Sequence, residues 1–209
     1  MTKKNRIKHI LDILSKEYPD ARCMLDYEKD YELLIAVMLS SQTTDVSVNG
    51  VTKILFSRYK DIKSLANARY DDVYEIVKKL GLARKKASNV IEIAKILSNE
   101  FDGIVVNNRE KLEALPGVGR KTVNVVLSEL FNADFLAVDT HVSRLAVRLG
   151  FASLNDSVLE IENKLCSILD KGEKKKAHHL LIRHGREVCK AKGFDCSKCV
   201  INDCCKKQI

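Results

Sequence analysis

Three stretches of this 209-residue chain carry residues whose types and spacing could do chemistry. The first is LPGVGRKT (115–122), where Gly117 and Gly119 stand directly before Arg120 and Lys121. An apolar helical pattern follows at once, through Val123, Val126, Leu127 and Leu130. A helix start is already electropositive, so two cations there cost stability unless an anion, or a neutral lysine, is wanted. Two glycines let the backbone turn tightly and let a phosphate approach closely, and the free N–H groups of the helix start can donate to it. Arg120 adds charge to such a grip. Contacts of this kind position DNA without reading its sequence. A plain helix–helix turn is the blander reading, and the Pro-Gly-x-Gly-Arg-Lys context weighs against it. Lys121 is either one more phosphate contact or a nucleophile. A free lysine titrates at roughly 10.4, and a helix N-terminus, a neighbouring arginine and partial desolvation all lower that value.

The second stretch, AVDTHVSRL (137–145), supplies a carboxylate. Asp139 precedes a helical pattern and suits an N-cap. Capping N–H bonds would also keep it ionised, and an ionised carboxylate near a sugar can stabilise an oxocarbenium-like centre or manage a proton. The third stretch is the tail CKAKGFDCSKCVINDCC, with Cys189, Cys196, Cys199, Cys204 and Cys205. Cys189, Cys196, Cys199 and Cys205 read as C-x6-C-x2-C-x5-C, a four-thiolate site, with zinc and iron–sulfur both open on spacing. Cys204 could replace Cys205. CSKC as a redox pair is a weaker third reading. Cys23 and Cys166 stand apart, and His178, His179 and His184 suit core or surface better than ligation.

These stretches must be carried by a scaffold, and its periodicity is helical almost throughout. Apolar stripes run through Ile7, Ile10, Leu11 and Leu14; Val48, Val51, Ile54 and Leu55, with Thr44 or Asp45 as cap; and Val73, Ile76, Val77 and Leu80, with Gly81 as a stop. Others run through Val90, Ile91, Ala94 and Leu97; Val142, Leu145, Ala146 and Leu149, with Gly150 at the end; and Ala177, Leu180, Leu181, His184 and Val188. A short helix near 109–114 leads into the glycine turn, and SVLE (157–160) is a capping box. No run alternates as a strand would, so the fold class is all-α. A hydrophobic fraction of 45% supports a true core, and a net charge of +8 with a pI near 9.1 favours nucleic acid as partner, a lysine-rich surface being the alternative. No apolar run is long enough to span a membrane. The N-terminus reads as neither a signal nor a transit peptide, so an intracellular protein with reduced or metal-bound thiols is expected. LGLARKKASNVI (80–91) also echoes PGVGRKTVNVV (116–126), with Gly81 over Gly117 and Arg84-Lys85 over Arg120-Lys121. Two basic turns facing one polyanion would explain the echo, and so would chance likeness of two helix starts.

Taken together, ELLIAVMLSSQTTDVSVN, EALPGVGRKTVNVVL, AVDTHVSRL, HHLLIRHGREVC and the cysteine spacing make the chain resemble the endonuclease III family, bifunctional DNA glycosylase/lyases of the helix-hairpin-helix superfamily. The matching stretches run from about Glu32 to Cys205. The resemblance implies a two-lobed all-α fold: a six-helix domain at 23–133 carrying the hairpin, and a second lobe of 1–22 with 134–209 carrying the cluster region, with a DNA groove between. It implies a 4Fe-4S cluster on Cys189, Cys196, Cys199 and Cys205. It implies Lys121 as Schiff-base nucleophile and Asp139 as its carboxylate partner. Gln42 and Leu82 are implied to enter the duplex where the damaged base leaves, and His141 to contact DNA beside Gly117, Gly119 and Arg120. The implied activity is base excision repair: removal of oxidised pyrimidines from double-stranded DNA, then cutting 3′ of the abasic site by β-elimination. The implied protein is a monomer, cytoplasmic or nucleoid-associated if prokaryotic. The adenine-specific mismatch glycosylases resemble the chain less, having serine at the Lys121 position, a catalytic glutamate where Ala36 stands, and an extra C-terminal domain. A non-catalytic helix-hairpin-helix DNA-binding module is the other alternative, and Lys121 with Asp139 weighs against it.

Overall fold

The computed structural model of the protein describes residues 1–207. Among them all regular structure is helical, as the periodicity requires. The chain divides into two compact units: Met24–Phe131, and Met1–Cys23 with the chain from Asn132 onward.

The chain opens with α1 (Lys3–Glu17) and then builds the Met24–Phe131 unit from seven helices. These are α2 (Asp30–Leu39), α3 (Asp45–Arg58), α4 (Ile62–Ala66), α5 (Tyr70–Val77), α6 (Ala83–Glu100), α7 (Arg109–Glu113) and α8 (Arg120–Phe131). At the centre lies α2, with α3, α6 and α8 packed on it. Every residue of α2 from Tyr31 to Leu39 is buried. The apolar ones, such as Leu33, Leu34 and Ile35, each contribute about 1.5–3 kcal/mol by leaving water. Its buried Glu32 serves the helix start, accepting from the backbone N–H of Glu28 at 2.8 Å and Lys29 at 3.2 Å. Asp30 accepts from Val105 N–H at 2.7 Å, fastening the segment after α6. Thr44 caps α3. Of its expected stripe Val48, Val51 and Leu55 are buried, whereas Ile54 is exposed because it falls at the edge of the arc.

One local expectation fails. Gly81 is not the left-handed stop of α5. The left-handed residue is Leu82, at φ +60°, which begins α6 without a side-chain cap. Gly81 passes close to the neighbouring loop, where a Cβ would make an ordinary 3.4 Å contact with the Gln42 carbonyl oxygen. The echo between the two basic turns is therefore not a geometric repeat, for at the other turn Gly117 itself carries the left-handed conformation, at φ +75°.

The second unit joins α1 to α9 (Thr140–Arg148), α10 (Val158–Cys166) and α11 (Lys174–Glu187), followed by 3-10 turns at Cys196–Lys198 and Asn202–Cys204. Its core runs from Ile7, Ile10 and Leu14 of α1 to Val142, Leu145, Leu180 and Ile201. Arg6 is the tie between the two ends of the chain. Its guanidinium lies 4.1 Å from the Phe151 ring centre and donates to the carbonyls of Leu149 and Gly150 and, at 3.2 Å, of Cys204. Ser157 and Glu160 make the expected capping box of α10, and Gly150, at φ +72°, follows α9. His178, His179 and His184 are all buried. Among the described residues no helix is long and apolar enough to cross a membrane.

Candidate active site and metal centre

The Met24–Phe131 unit holds Gln42, Leu82, Gly117, Gly119, Arg120 and Lys121. The turn between α7 and α8 is closed by Val118 N–H donating to Leu115 O at 3.1 Å, and the Gly119 carbonyl accepts the first bond of α8, from Val123 N–H at 3.0 Å. The two glycines have different reasons. Gly117 is left-handed, and a side chain on it would collide with Asn89 of α6. Gly119 is not left-handed, and a Cβ on it would meet nothing within 4 Å. Nothing inside the unit demands glycine at 119, so its missing side chain leaves the turn open to an external group. Arg120 is exposed and Lys121 half-buried, both in a first turn without any acidic residue. The positive helix end and two cations thus coincide, an arrangement that favours an anion.

Gln42 and Leu82 stand on neighbouring loops, brought close at Gly81. Both are exposed, and both are left-handed, at φ +54° and +60°. A left-handed conformation costs a non-glycine residue about 1–2 kcal/mol and clusters at functional sites. Lys86 is a residue that composition and motif did not single out. It is buried in α6, and its Nζ donates to Ser41 O and to Thr43 Oγ1, at 2.8 Å each. Burial holds its ammonium below the usual lysine range. The available signal was its register: Lys86 lies four residues before Val90, on the buried stripe of its helix.

The other unit holds Asp139, His141 and the cysteines. Asp139 is the N-cap of α9, and one oxygen, Oδ1, accepts from both His141 N–H at 2.9 Å and Val142 N–H at 2.8 Å. One oxygen fixes the carboxylate, and among the described residues the other makes no hydrogen bond. The segment leading to it is steadied by His178, whose Nδ1–H donates to Ala137 O at 2.8 Å. Arg144 donates to His141 Nδ1 at 3.1 Å, so the imidazole carries its proton on Nε2, available to a ligand. The same guanidinium donates to Gly185 O at 2.8 Å and Cys189 O at 3.1 Å, linking the start of α9 to the first cysteine of the tail.

Cys189, Cys196, Cys199 and Cys205 line one cavity together with Leu145 of α9 and its C-cap Leu149, and its open space, mouth included, is about 400 Å³. Cys204 is not on the lining, and its thiol donates to Ile201 O at 3.4 Å. Burial pushes the Cys199 and Cys205 thiols above their ordinary value, and the charges of the neighbouring cysteines push the same way. Thiols whose ionisation is made costly in this way, by burial and by neighbouring sulfurs, belong to a donor set that a bound cation would relieve. Arg148 donates to Cys189 Sγ at 3.2 Å and lies over Phe194, 4.0 Å from the ring centre. His184, which burial pushes down to about 4, stays neutral. One tautomer satisfies both its nitrogens: Tyr18 O–H donates to Nδ1 at 3.1 Å and Nε2–H to Cys199 Sγ at 3.4 Å. Hydrogen bonds of this kind to sulfur are the ones that orient and tune thiolates in metal sites. Among the described residues no three His, Cys, Asp or Glu side chains converge as one metal ion would require. The four thiols share the lining of one cavity.

Comparison with known proteins adds to this geometry. The model of the HhH-GPD superfamily of base excision DNA repair proteins matches residues 35–171. The chain is 42% identical to endonuclease III of Rickettsia felis over 200 residues, 96% of this chain and 93% of that protein. It is 40% identical to endonuclease III of Bacillus subtilis over 202 residues, 97% and 92% of the two chains. Among solved structures, a trapped covalent intermediate of an endonuclease III with DNA, in an estranged-adenine complex, superposes with a TM-score of 0.93 at 41% identity, covering 100% of this chain and 98% of the other.

Proposed function

Since the chain belongs to the HhH-GPD superfamily of base excision DNA repair proteins, we propose that it is a bifunctional enzyme of that repair. It is a DNA N-glycosylase that removes oxidised pyrimidines and a lyase that cuts 3′ of the abasic site. Full-length identity of about two residues in five with proteins named endonuclease III, one of the family trapped covalently on DNA, supports this activity. The observation that carries it is Lys121 in the first turn of α8, directly behind an open Gly119.

The target carbon, C1′, is inaccessible inside the stack, so the nucleotide must leave it. Gly117, Gly119 and Arg120 hold the backbone phosphates while Gln42 and Leu82 fill the space the base vacates, and His141 adds a contact through Nε2–H. The Lys121 amine attacks C1′ through its nitrogen lone pair. The C1′–N bond to lysine forms, the bond to the base breaks, and the base takes up a proton as it leaves. Ring opening gives an iminium, loss of a C2′ proton gives an enamine, and its electrons expel the 3′ phosphate. Water then frees the lysine. Asp139 is assigned to the positive charge and protons of this sequence, its Oδ1 held by the cap and its Oδ2 left to act. An activated water in place of Lys121 would stop at an abasic site. For that reason a lysine nucleophile with a fixed carboxylate does not suit a non-catalytic module or a glycosylase without lyase activity.

Cys189, Cys196, Cys199 and Cys205 are assigned to a 4Fe-4S cluster, for which four cysteine thiolates are the usual donor set. A single zinc needs four sulfurs about 2.3 Å from one point. These four residues would hold the cluster, which when bound would tie the tail from just after α11 to Cys205 and supply rigidity. Its thiolates and a DNA substrate support an intracellular site of action, and the enzyme is assigned to work as a monomer on duplex DNA. The test is product analysis on a duplex holding one ring-saturated thymine. The expected product is a cut strand ending in a 3′ unsaturated aldehyde and a 5′ phosphate. An abasic strand that breaks only in alkali would remove the lyase half of the proposal, and an untouched duplex would remove all of it.

A further inference from the structure

Lys86 is 3% exposed, an unusual place for a lysine. Burying an ammonium is costly unless it is well bonded, and here the bonds go to two acceptors that bracket one residue. Nζ donates to Ser41 O and Thr43 Oγ1, at 2.8 Å each, and between them stands Gln42, left-handed and exposed. The backbone N–H of the same lysine donates to Leu82 O at 3.0 Å, and Leu82 is likewise left-handed and exposed. A left-handed non-glycine residue relaxes unless its surroundings over-determine it. The side chain of Lys86 therefore ties the Gln42 loop to the start of α6, where its own backbone N–H makes the first helix bond to Leu82 and where Gly81 passes close to the Gln42 carbonyl.

We propose that Lys86 is a positioning residue that fixes Gln42 and Leu82 in register for entry into the duplex. This rests on the reading, given above, that Gln42 and Leu82 occupy the space left by the departing base. The observation points to a shape function. Joining α2 to α3 needs no buried cation, and the loop conformation that the cation enforces has no use inside the unit, since the side chain it presents points to solvent.

The test compares activity on two substrates carrying the same abasic site, one duplex and one single-stranded. Only the duplex needs a filler for the vacated space. Lys86→Met keeps the stem and removes the three donors. It should lower the duplex-to-single-strand activity ratio about tenfold or more, the scale on which small misplacements act. Thr43→Val, which removes one acceptor, should lower the ratio less, and it carries the test if Lys86→Met does not fold. Gln42→Ala is the reference and should lower the ratio as well. If Gln42→Ala leaves the ratio unchanged, the reading of the two filler residues fails. If Gln42→Ala lowers it while Lys86→Met and Thr43→Val do not, the role of Lys86 fails alone. Equal loss on both substrates in Lys86→Met would also overturn the proposal, by making Lys86 a residue of the fold only.

Discussion

At the scale of single residues, the glycine turn separates architecture from ligand binding. Gly117 is required by the chain itself, being left-handed and pressed against Asn89, whereas Gly119 faces open space. Gly117→Ala should therefore cost about 1–3 kcal/mol of stability, read as a fall in Tm. Gly119→Ala should leave Tm nearly unchanged yet weaken binding to abasic duplex DNA, because only a ligand meets the added methyl. Equal affinity for wild type and Gly119→Ala would remove that glycine from the phosphate grip. The sequence showed that glycines were needed here but could not show that they serve different masters, since φ and the neighbour from α6 are properties of the folded unit. Lys86 was harder still to read. A lysine among lysines in ARKKAS looks like solvent-facing charge, and only the loop from forty residues earlier, brought onto it by α2 packing, gives it its acceptors.

At the scale of elements, helices were legible wherever a stripe and a cap coincide, as at Ser157 with Glu160 or at Asp139 before Val142, Leu145 and Leu149. Local rules failed where a turn is set by its neighbour. Gly81 reads as a helix stop, but it lies beside the Gln42 loop without the left-handed conformation, which falls on Leu82 instead. The start of α9 joins structure to chemistry most directly, because Asp139 is both its cap and the assigned carboxylate. The two roles are separable. Asp139→Asn keeps an oxygen for the His141 and Val142 N–H groups, so stability should change by about 0.5 kcal/mol or less while base removal slows strongly. Asp139→Ala loses the cap as well and should cost about 1 kcal/mol more. Denaturant midpoints beside single-turnover rates check this, and an Asn variant with unimpaired base removal would leave Asp139 a cap and nothing else.

At the scale of the whole chain, the N-terminal helix and the cysteine tail share one core and one arginine, since Arg6 bonds Cys204 O while stacking on Phe151. Cysteine spacing alone left both the metal and the fourth ligand open. The fold separates Cys205, on the cavity, from Cys204, turned to Ile201 O, which spacing could not do for adjacent residues. Protein purified without oxygen should be yellow-brown, with about four irons per chain. Cys204→Ser should keep the colour and Cys205→Ser should lose it. A colourless wild type with one zinc, or the reverse result for the two serines, would contradict the assignment.

Lys121 is assigned as the amine that joins the DNA. Borohydride reduces an iminium to a stable amine, so wild-type protein on duplex DNA with an abasic or oxidised-pyrimidine site should become covalently attached, and peptide mapping should find the adduct on Lys121. Lys121→Gln should give neither adduct nor strand cut while still binding the duplex, because the backbone donors of the turn and Arg120 remain. An adduct mapped to any other residue, or formed undiminished by Lys121→Gln, would show that another amine is the nucleophile and leave LPGVGRKT as a phosphate grip alone.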